Sequence, residues 1–340
     1  MCGLAGVVFK DHKRTEEQYG TIRSLYTEVL TRASVRGKHA TGVATIERRG
    51  AYRLVKAPME AKEFVTDDAY GTHLNRLNNK SSAIMGHTRY STKGTRFLNR
   101  NNHPIVAGTV VGTHNGHISN HNELFRKFGM NRFAEVDSEA LFRLFATADS
   151  PEQYFDDRLP LVTGRLSAVF ADYEYPEYVY IIKGNNPLEA YYDKEFKCLY
   201  YGSTDDILKP LKENRPLKKI KLEPMTLMRV NTITLNIKRQ KISFKTLQLK
   251  KVNDSGKTGK YGNTVSGFVP RFSYSDVLKK GKTTPKKRNH RKTPTTGFKR
   301  TIQQNFISGL ITVTCHRCGV TADVRNQEVF IRDMCRCNDA

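Results

Sequence analysis

The sequence predicts an α+β domain in which β-sheets are covered by helices. Two observations over roughly the first 235 residues carry that prediction: short apolar runs ended by turn residues recur along the chain, and amphipathic stretches of helical period fall between them. A third observation bounds the domain. Beyond about residue 250 the apolar runs give way to Lys, Gly, Thr and Pro, a composition with too little apolar side chain to offset the entropy of ordering the backbone.

The elements follow in order. The chain opens "MCGLAGVVFK", a strand of small and branched apolar residues behind a cysteine. "TEEQYGTIRSLYTEVLTRAS" then sets Ile22, Leu25, Tyr26, Val29 and Leu30 on one helical face, with Thr15 as N-cap. "SAIMGHTR", "GTVVGTHNG", "LSAVFADY", "YVYIIKG", "KCLYYGST" and "MTLMRVN" read as strands. "NHNELFRKFG" and "DSEALFRLFATA" read as helices, the second with Leu141, Leu144, Phe145 and Ala148 on one face. The expected organisation is a folded domain over 2–249, a flexible basic linker over 250–304, and a compact strand-rich module over 305–340. There is no internal repeat.

Composition narrows the class. At 340 residues with 38% hydrophobic side chains, the chain can hold one sizeable core or two unequal ones. No run approaches the roughly 18 apolar residues of a membrane span, and no basic flank precedes an apolar segment at the start, so a cytoplasmic protein is expected. In that setting the six cysteines read as thiols or metal ligands rather than disulfides. The net charge of +24 is concentrated: residues 238–300 hold 19 Lys and Arg against 2 acids.

The candidate chemistry begins at Cys2. A cysteine is among the most buried residue types, and Cys2 can be read as one more small apolar side chain. If the initiator methionine is trimmed, as is general before a small residue, Cys2 instead carries a thiol and a free amine together. Four further stretches bear groups that amide cleavage needs: "RGKHATG" at 36–42, "GHTRYST" at 86–92, "THNGHISN" at 113–120 and "DSEAL" at 137–141.

With "CGLAGVV", these stretches in this order resemble the class II glutamine amidotransferases. Those are the N-terminal-nucleophile enzymes that supply ammonia in glucosamine-phosphate and purine synthesis. The likeness covers roughly residues 2–235 and extends to "GRLSAVFAD", the stretch running into "GNNPL", and "YYGST". It implies a four-layer αββα sandwich with Cys2 as nucleophile. It also implies Asn115 and the Gly116 N–H as oxyanion donors, Arg89 on the glutamine carboxylate and Asp137 on its ammonium. Thr92 and Arg36 either orient the site or support loops.

Physical chemistry agrees with each role. A thiol of pKa roughly 8.5 is only partly ionised at neutral pH, whereas an α-amine near 7.7–8.0 is partly neutral and can accept its proton. A guanidinium fork suits a carboxylate. Other readings stay open at this point: Arg89 and Asp137 as structural ion pairs, Asn115-Gly116 as a type I′ hairpin turn, and His114, His117 and His121 as metal ligands. The chain also departs from the family at Lys38-His39, where Pro-Asp is common, at Tyr90-Ser91, where Trp-Ala is common, and at Lys93, where histidine is common.

Nothing after residue 250 is long enough to be a synthase domain, so the ammonia acceptor is expected on a separate protein. Cys315, Cys318, Cys335 and Cys337 form a C-x2-C and a C-x-C pair, suited to one structural Zn²⁺ in a zinc-ribbon-like module. No cofactor is expected for glutamine hydrolysis itself. The basic linker suggests non-specific contact with nucleic acid. The competing reading is a nucleic-acid-binding protein built on an inactive amidotransferase scaffold.

Overall fold

The structure, a computed structural model, describes residues 2–172 and 176–246, together with the backbone of three short strands, Ile302–Gln304, Ile311–Thr314 and Thr321–Val324. Those three pair into a separate antiparallel sheet. The first of them falls inside the stretch expected as linker. The rest of 250–304, and all four C-terminal cysteines, lie outside the described residues.

Among the described residues, fourteen strands and seven α-helices make up the main domain. In chain order they are β1 (Gly3–Phe9), α1 (Glu16–Ala33), β2 (Ala40–Glu47), β3 (Tyr52–Ala57), α2 (Ala61–Phe64), α3 (Asp68–Asn75) and β4 (Ser81–Arg89). There follow β5 (Ile105–Ala107), β6 (Val110–Ile118), α4 (His121–Lys127), α5 (Ser138–Ala146), α6 (Pro151–Gln153), β7 (Thr163–Asp172) and β8 (Tyr178–Lys183). The last are β9 (Glu189–Asp193), β10 (Cys198–Gly202), α7 (Lys209–Asn214), β11 (Leu217–Ile220), β12 (Thr226–Asn231), β13 (Ile237–Lys241) and β14 (Lys245–Thr246).

Two sheets result. The first runs β11-β9-β10-β1-β4-β2-β3 and the second β13-β12-β8-β7-β6-β5, with β14 parallel to β7. Every other pairing within them is antiparallel. Alternate residues of each strand face opposite sides, and the burial splits accordingly. Leu4, Val8, Met85, Val111, Val169, Ile181 and Leu199 fill the space between the sheets. Ala5, Val7, Phe9 and Ile84 on the outer face of the first sheet meet Ile22, Tyr26, Val29 and Leu30 of α1. Ala168, Phe170 and Tyr180 on the outer face of the second meet Leu141, Phe142 and Phe145 of α5. The order helix, sheet, sheet, helix is the expected layering.

Local signals account for the helices. Thr15 accepts from Gln18 N while the Gln18 side chain accepts from Thr15 N, a capping box that opens α1 and is worth about 1 kcal/mol. The helix read over 137–148 stops earlier than expected. Thr147 N–H still bonds Arg143 O four residues back, but Ala148 N–H bonds Phe145 O only three back, so α5 ends at Ala146 and Ala148 lies beyond it.

Among the buried histidines are His73, His87, His103 and His114. Burial, helped by the Arg53 and Arg76 charges, holds His73 at a pKa of about 3. Burial likewise holds His87 at about 3 and pushes His103 and His114 down. His87 and His103 stack at 4.1 Å. These rings stay neutral in the fold and take a proton readily only when the chain unfolds. Their contribution is therefore present above the ordinary histidine pKa and lost as pH falls below it. His73 and His87 should each remove about 1.4 kcal/mol of stability per pH unit as pH falls from about 6.5 toward about 3, and His103 and His114 act in the same direction. The urea midpoint is expected to drop steeply between about pH 7 and 5; a flat midpoint would show that these rings are not neutral in the fold.

Candidate active site

Cys2 stands at the head of β1, where the strand passes between the end of α1 and β4. Gly3 makes that passage possible, because a Cβ there would lie 2.6 Å from both Ala33 O and Thr88 Oγ1. Thr88 Oγ1 donates to Ala33 O at 2.7 Å and closes the helix end onto β4. The 3-10 turn over Ser34–Arg36 then directs Arg36 back at Cys2, and its Nε donates to Cys2 O at 2.8 Å. Arg36 therefore orients the Cys2 main chain.

The Cys2 thiol is partly exposed and faces the main chain of Tyr90. Tyr90 N–H donates to Sγ at 3.3 Å, and the thiol is turned toward Tyr90 O at 3.6 Å. Burial pushes the thiol pKa up, opposed by the Tyr90 hydrogen bond and the Arg89 charge, while Asp137 adds to the rise. Near neutrality the raised thiol pKa favours the protonated sulfur. Cys198, the other described cysteine, is buried under the first sheet and pushed up to about 12, chiefly by that burial.

Asn115 and Gly116 lie within β6, paired across to Ser167 and Leu166 of β7. They form no hairpin turn. Gly116 has φ +146°, and a Cβ there would fall 1.8 Å from Arg165 O, so only glycine fits. Asn115 is 2% exposed and held at both ends. Its Nδ2 donates to Ser203 Oγ at 2.7 Å, and its carbonyl accepts from Asn186 Nδ2 at 2.8 Å. Its carboxamide also interacts with the buried His87 ring.

Arg89 ends β4 and is 3% exposed. Nη1 donates to Asn102 Oδ1 at 2.7 Å, and Nη2 to Lys93 O and to Gly94 O at 2.9 Å. Much of its fork is engaged in shaping the loop that follows β4. Thr92 is exposed on that loop. Asp137 is buried at the start of α5. Its Oδ2 accepts from Ile118 N at 2.5 Å and lies 3.3 Å from His117 Nδ1. The rest of "DSE" is supporting structure: Ser138 Oγ meets His114 Nδ1 at 2.8 Å. The fully buried Glu139 accepts from Phe133 N, Ala134 N and Arg143 Nε.

The three histidines of the 114–121 stretch do not converge. His114 turns to Ser138 and Arg165 O, His117 to Asp137, and His121 to Lys93 Nζ at 2.6 Å. Among the described residues no group of three or more His, Cys, Asp or Glu is placed to hold a metal ion. The departures at 39 and 90 are coupled: the His39 and Tyr90 rings stack at 4.7 Å, and Ser91 N–H donates to His39 Nδ1 at 2.9 Å.

The fold thus ties Cys2, Arg36, Arg89 and the Tyr90 main chain into one cluster and joins Asn115 to it through Ser203. Asp137 is anchored two residues past Gly116. Sequence reading did not assign Ser203, Asn186 or Asn102. The signal for the first two was in hand, since "YYGST" and "GNNPL" carry them and had no role.

No protein-family model matches the chain. The 7-cyano-7-deazaguanine synthase 2 of Sulfurisphaera tokodaii is 25% identical over 283 residues, covering 82% of this chain and 58% of that protein. The amidophosphoribosyltransferase of Pasteurella multocida is 30% identical over 162 residues, 45% of this chain and 29% of its own length. The solved structure of the glutamine phosphoribosylpyrophosphate amidotransferase from B. subtilis, complexed with ADP and GMP, aligns with a TM-score of 0.56 at 15% identity. It covers 71% of this chain and 49% of that one. The chain spans about half the length of the first curated relatives it matches. Among the described residues no helix is long and apolar enough to cross a membrane.

Proposed function

We propose, on the premise of its likeness in sequence and fold to the class II glutamine amidotransferases, that this chain cleaves the side-chain amide of glutamine through Cys2. Removal of Met1 frees the α-amine of Cys2, which takes the thiol proton as sulfur attacks the amide carbon. The developing negative charge on the amide oxygen is met by the Asn115 carboxamide and the Gly116 N–H. The proton returns to the leaving nitrogen, ammonia departs, and water hydrolyses the γ-glutamyl thioester to glutamate. Asp137, with one carboxylate oxygen on Ile118 N, receives the substrate ammonium. The donors of Arg89 not engaged with the loop receive the α-carboxylate, with Thr92 beside them on the loop.

The observation that carries this reading is the partly exposed Cys2 thiol set against the Tyr90 main chain, with the Arg36 guanidinium fixing the residue's own carbonyl. A sulfur so placed needs a base close by, and its own amine is the group within one residue. The test is glutamate release from glutamine by the purified protein and its Cys2→Ala variant. A nucleic-acid-binding scaffold without activity, favoured by the charge of residues 238–300, predicts no glutamate from either.

The acceptor of the ammonia belongs, on this proposal, to a second polypeptide. Three of the matched relatives are named 7-cyano-7-deazaguanine synthases, which supports a deazapurine as the acceptor. Cys315, Cys318, Cys335 and Cys337 are proposed to hold one Zn²⁺ as a structural staple, from their paired spacing. Metal analysis should return about one zinc per chain, and a value near zero would remove the site.

A further inference from the structure

Ser203 follows β10 and joins two strands of different sheets. Its N–H donates to Leu4 O at 3.1 Å, and its Oγ accepts from Leu4 N at 2.7 Å. It therefore grips β1 two residues beyond Cys2 by both of the Leu4 main-chain groups. The same Oγ meets the Asn115 carboxamide of β6 at 2.7 Å. Ser203 is fully buried, and the layer between the sheets is otherwise largely apolar around it. One hydroxyl oxygen thus links the strand that carries the nucleophile to the strand that carries the oxyanion donor.

We infer that Ser203 is a positioning residue for glutamine hydrolysis, which presents the Asn115 carboxamide to the reacting oxygen. A hydroxyl both accepts and donates, so it satisfies either end of a carboxamide. With Nδ2 on Ser203 the opposite end of the carboxamide faces the His87 ring. Turning the amide over lets Ser203 donate its proton to Oδ1 and directs the Nδ2 hydrogens away from Ser203. Alanine at 203 can hold neither setting, and the carboxamide loses the contact that ties it to the Cys2 strand.

Asn186 completes the clamp from the other side. It donates to Asn115 O at 2.8 Å, its own carbonyl accepts from Ser167 Oγ at 2.7 Å, and its Oδ1 accepts from Arg165 Nη2 at 3.1 Å. With the Asn115 main chain fixed in this way, a change at Ser203 acts on the side chain.

The inference rests on the proposed glutaminase reading, and the test separates the two. Glutamine hydrolysis is measured for the wild-type protein, Ser203→Ala and Ser203→Thr, with iodoacetamide modification of the Cys2 peptide followed in parallel by mass spectrometry. Ser203→Ala should lower kcat about 10- to 100-fold, part of the effect of losing an oxyanion donor. KM should change by less than about threefold and the alkylation rate of Cys2 should stay at the wild-type value. Ser203→Thr, which keeps the hydroxyl, should recover most of kcat. A merely structural role would lower the yield of folded protein and slow or hasten Cys2 alkylation while leaving kcat per folded molecule unchanged. An active wild type with kcat of Ser203→Ala within twofold overturns the inference and leaves the glutaminase reading intact. No glutamate from the wild type overturns the reading itself.

Discussion

Replacing Cys2 by alanine is expected to abolish glutamate release, by about four to six orders of magnitude, while the thermal midpoint moves by no more than about 1–2 °C. The size of the kinetic effect follows from the nature of the step. Without sulfur there is no thioester, and only binding and oxyanion donors remain to assist water. The small thermal effect follows from the surroundings. The Cys2 side chain is only partly buried and its single contact is a thiol against Tyr90, whereas the Arg36 bond and the β1 ladder use main-chain atoms that alanine retains. Serine is the informative second variant. It keeps the shape and the Tyr90 contact but offers a hydroxyl far harder to ionise than a thiol, so its activity should also fall to near background. A fully active Cys2→Ala protein would place the chemistry elsewhere.

Asn115→Ala should reduce kcat by about 100- to 1000-fold, corresponding to about 3–4 kcal/mol of lost transition-state stabilisation. KM for glutamine should shift far less, because the amide oxygen acquires its charge only on the way to the tetrahedral intermediate. Asn115→Asp keeps the volume and leaves Ser203 a group to donate to, yet it replaces a donor with an acceptor. Its loss should be at least as large as that of alanine, and larger as pH rises and the carboxylate ionises. Cys2 alkylation should persist in both variants, since neither touches sulfur. If both lose glutamate release only through a raised KM, Asn115 binds substrate and does not stabilise the oxyanion.

How much of this was legible before the structure depends on whether a role is local. The α1 helix was readable because its apolar period and its Thr15 cap lie within one segment, and the whole predicted face is buried. The "HNG" stretch was readable as chemistry but ambiguous as structure, since Asn-Gly favours turns. Only the pairing with β7 shows Gly116 in mid-strand at a φ that glycine alone tolerates well. The role of Arg89 was only half legible. Its guanidinium type was visible, but the engagement of Nη2 with two loop carbonyls depends on how the chain after β4 folds back. Strand β2 escaped the reading because Thr41, Gly42 and Thr45 break its apolar run, although nearly all of it is buried. Ser203 stayed unassigned for a different reason. It acts 88 residues from Asn115 and 199 from Leu4, and no pattern within a segment encodes contacts of that span.

The departures at 38–39, 90–91 and 93 form two local exchanges. His39 stacks on Tyr90 and accepts from Ser91, so that pair holds the loop against the turn after α1. Lys93 leans on His121, where burial and the neighbouring cations lower the imidazole pKa. This contact fastens the loop after β4 to α4 beside the Asp137 carboxylate.

The account stands on sulfur of residue 2 forming a bond to the γ-carbon of glutamine with its own nitrogen free. Rapid acid quenching of the purified protein with glutamine, followed by peptide mass spectrometry, tests this in one measurement. The account predicts a γ-glutamyl adduct on a peptide that begins at Cys2 and vanishes as glutamine is consumed. Full turnover by protein whose first residue is still Met1, with no adduct on Cys2 at any time, would contradict it.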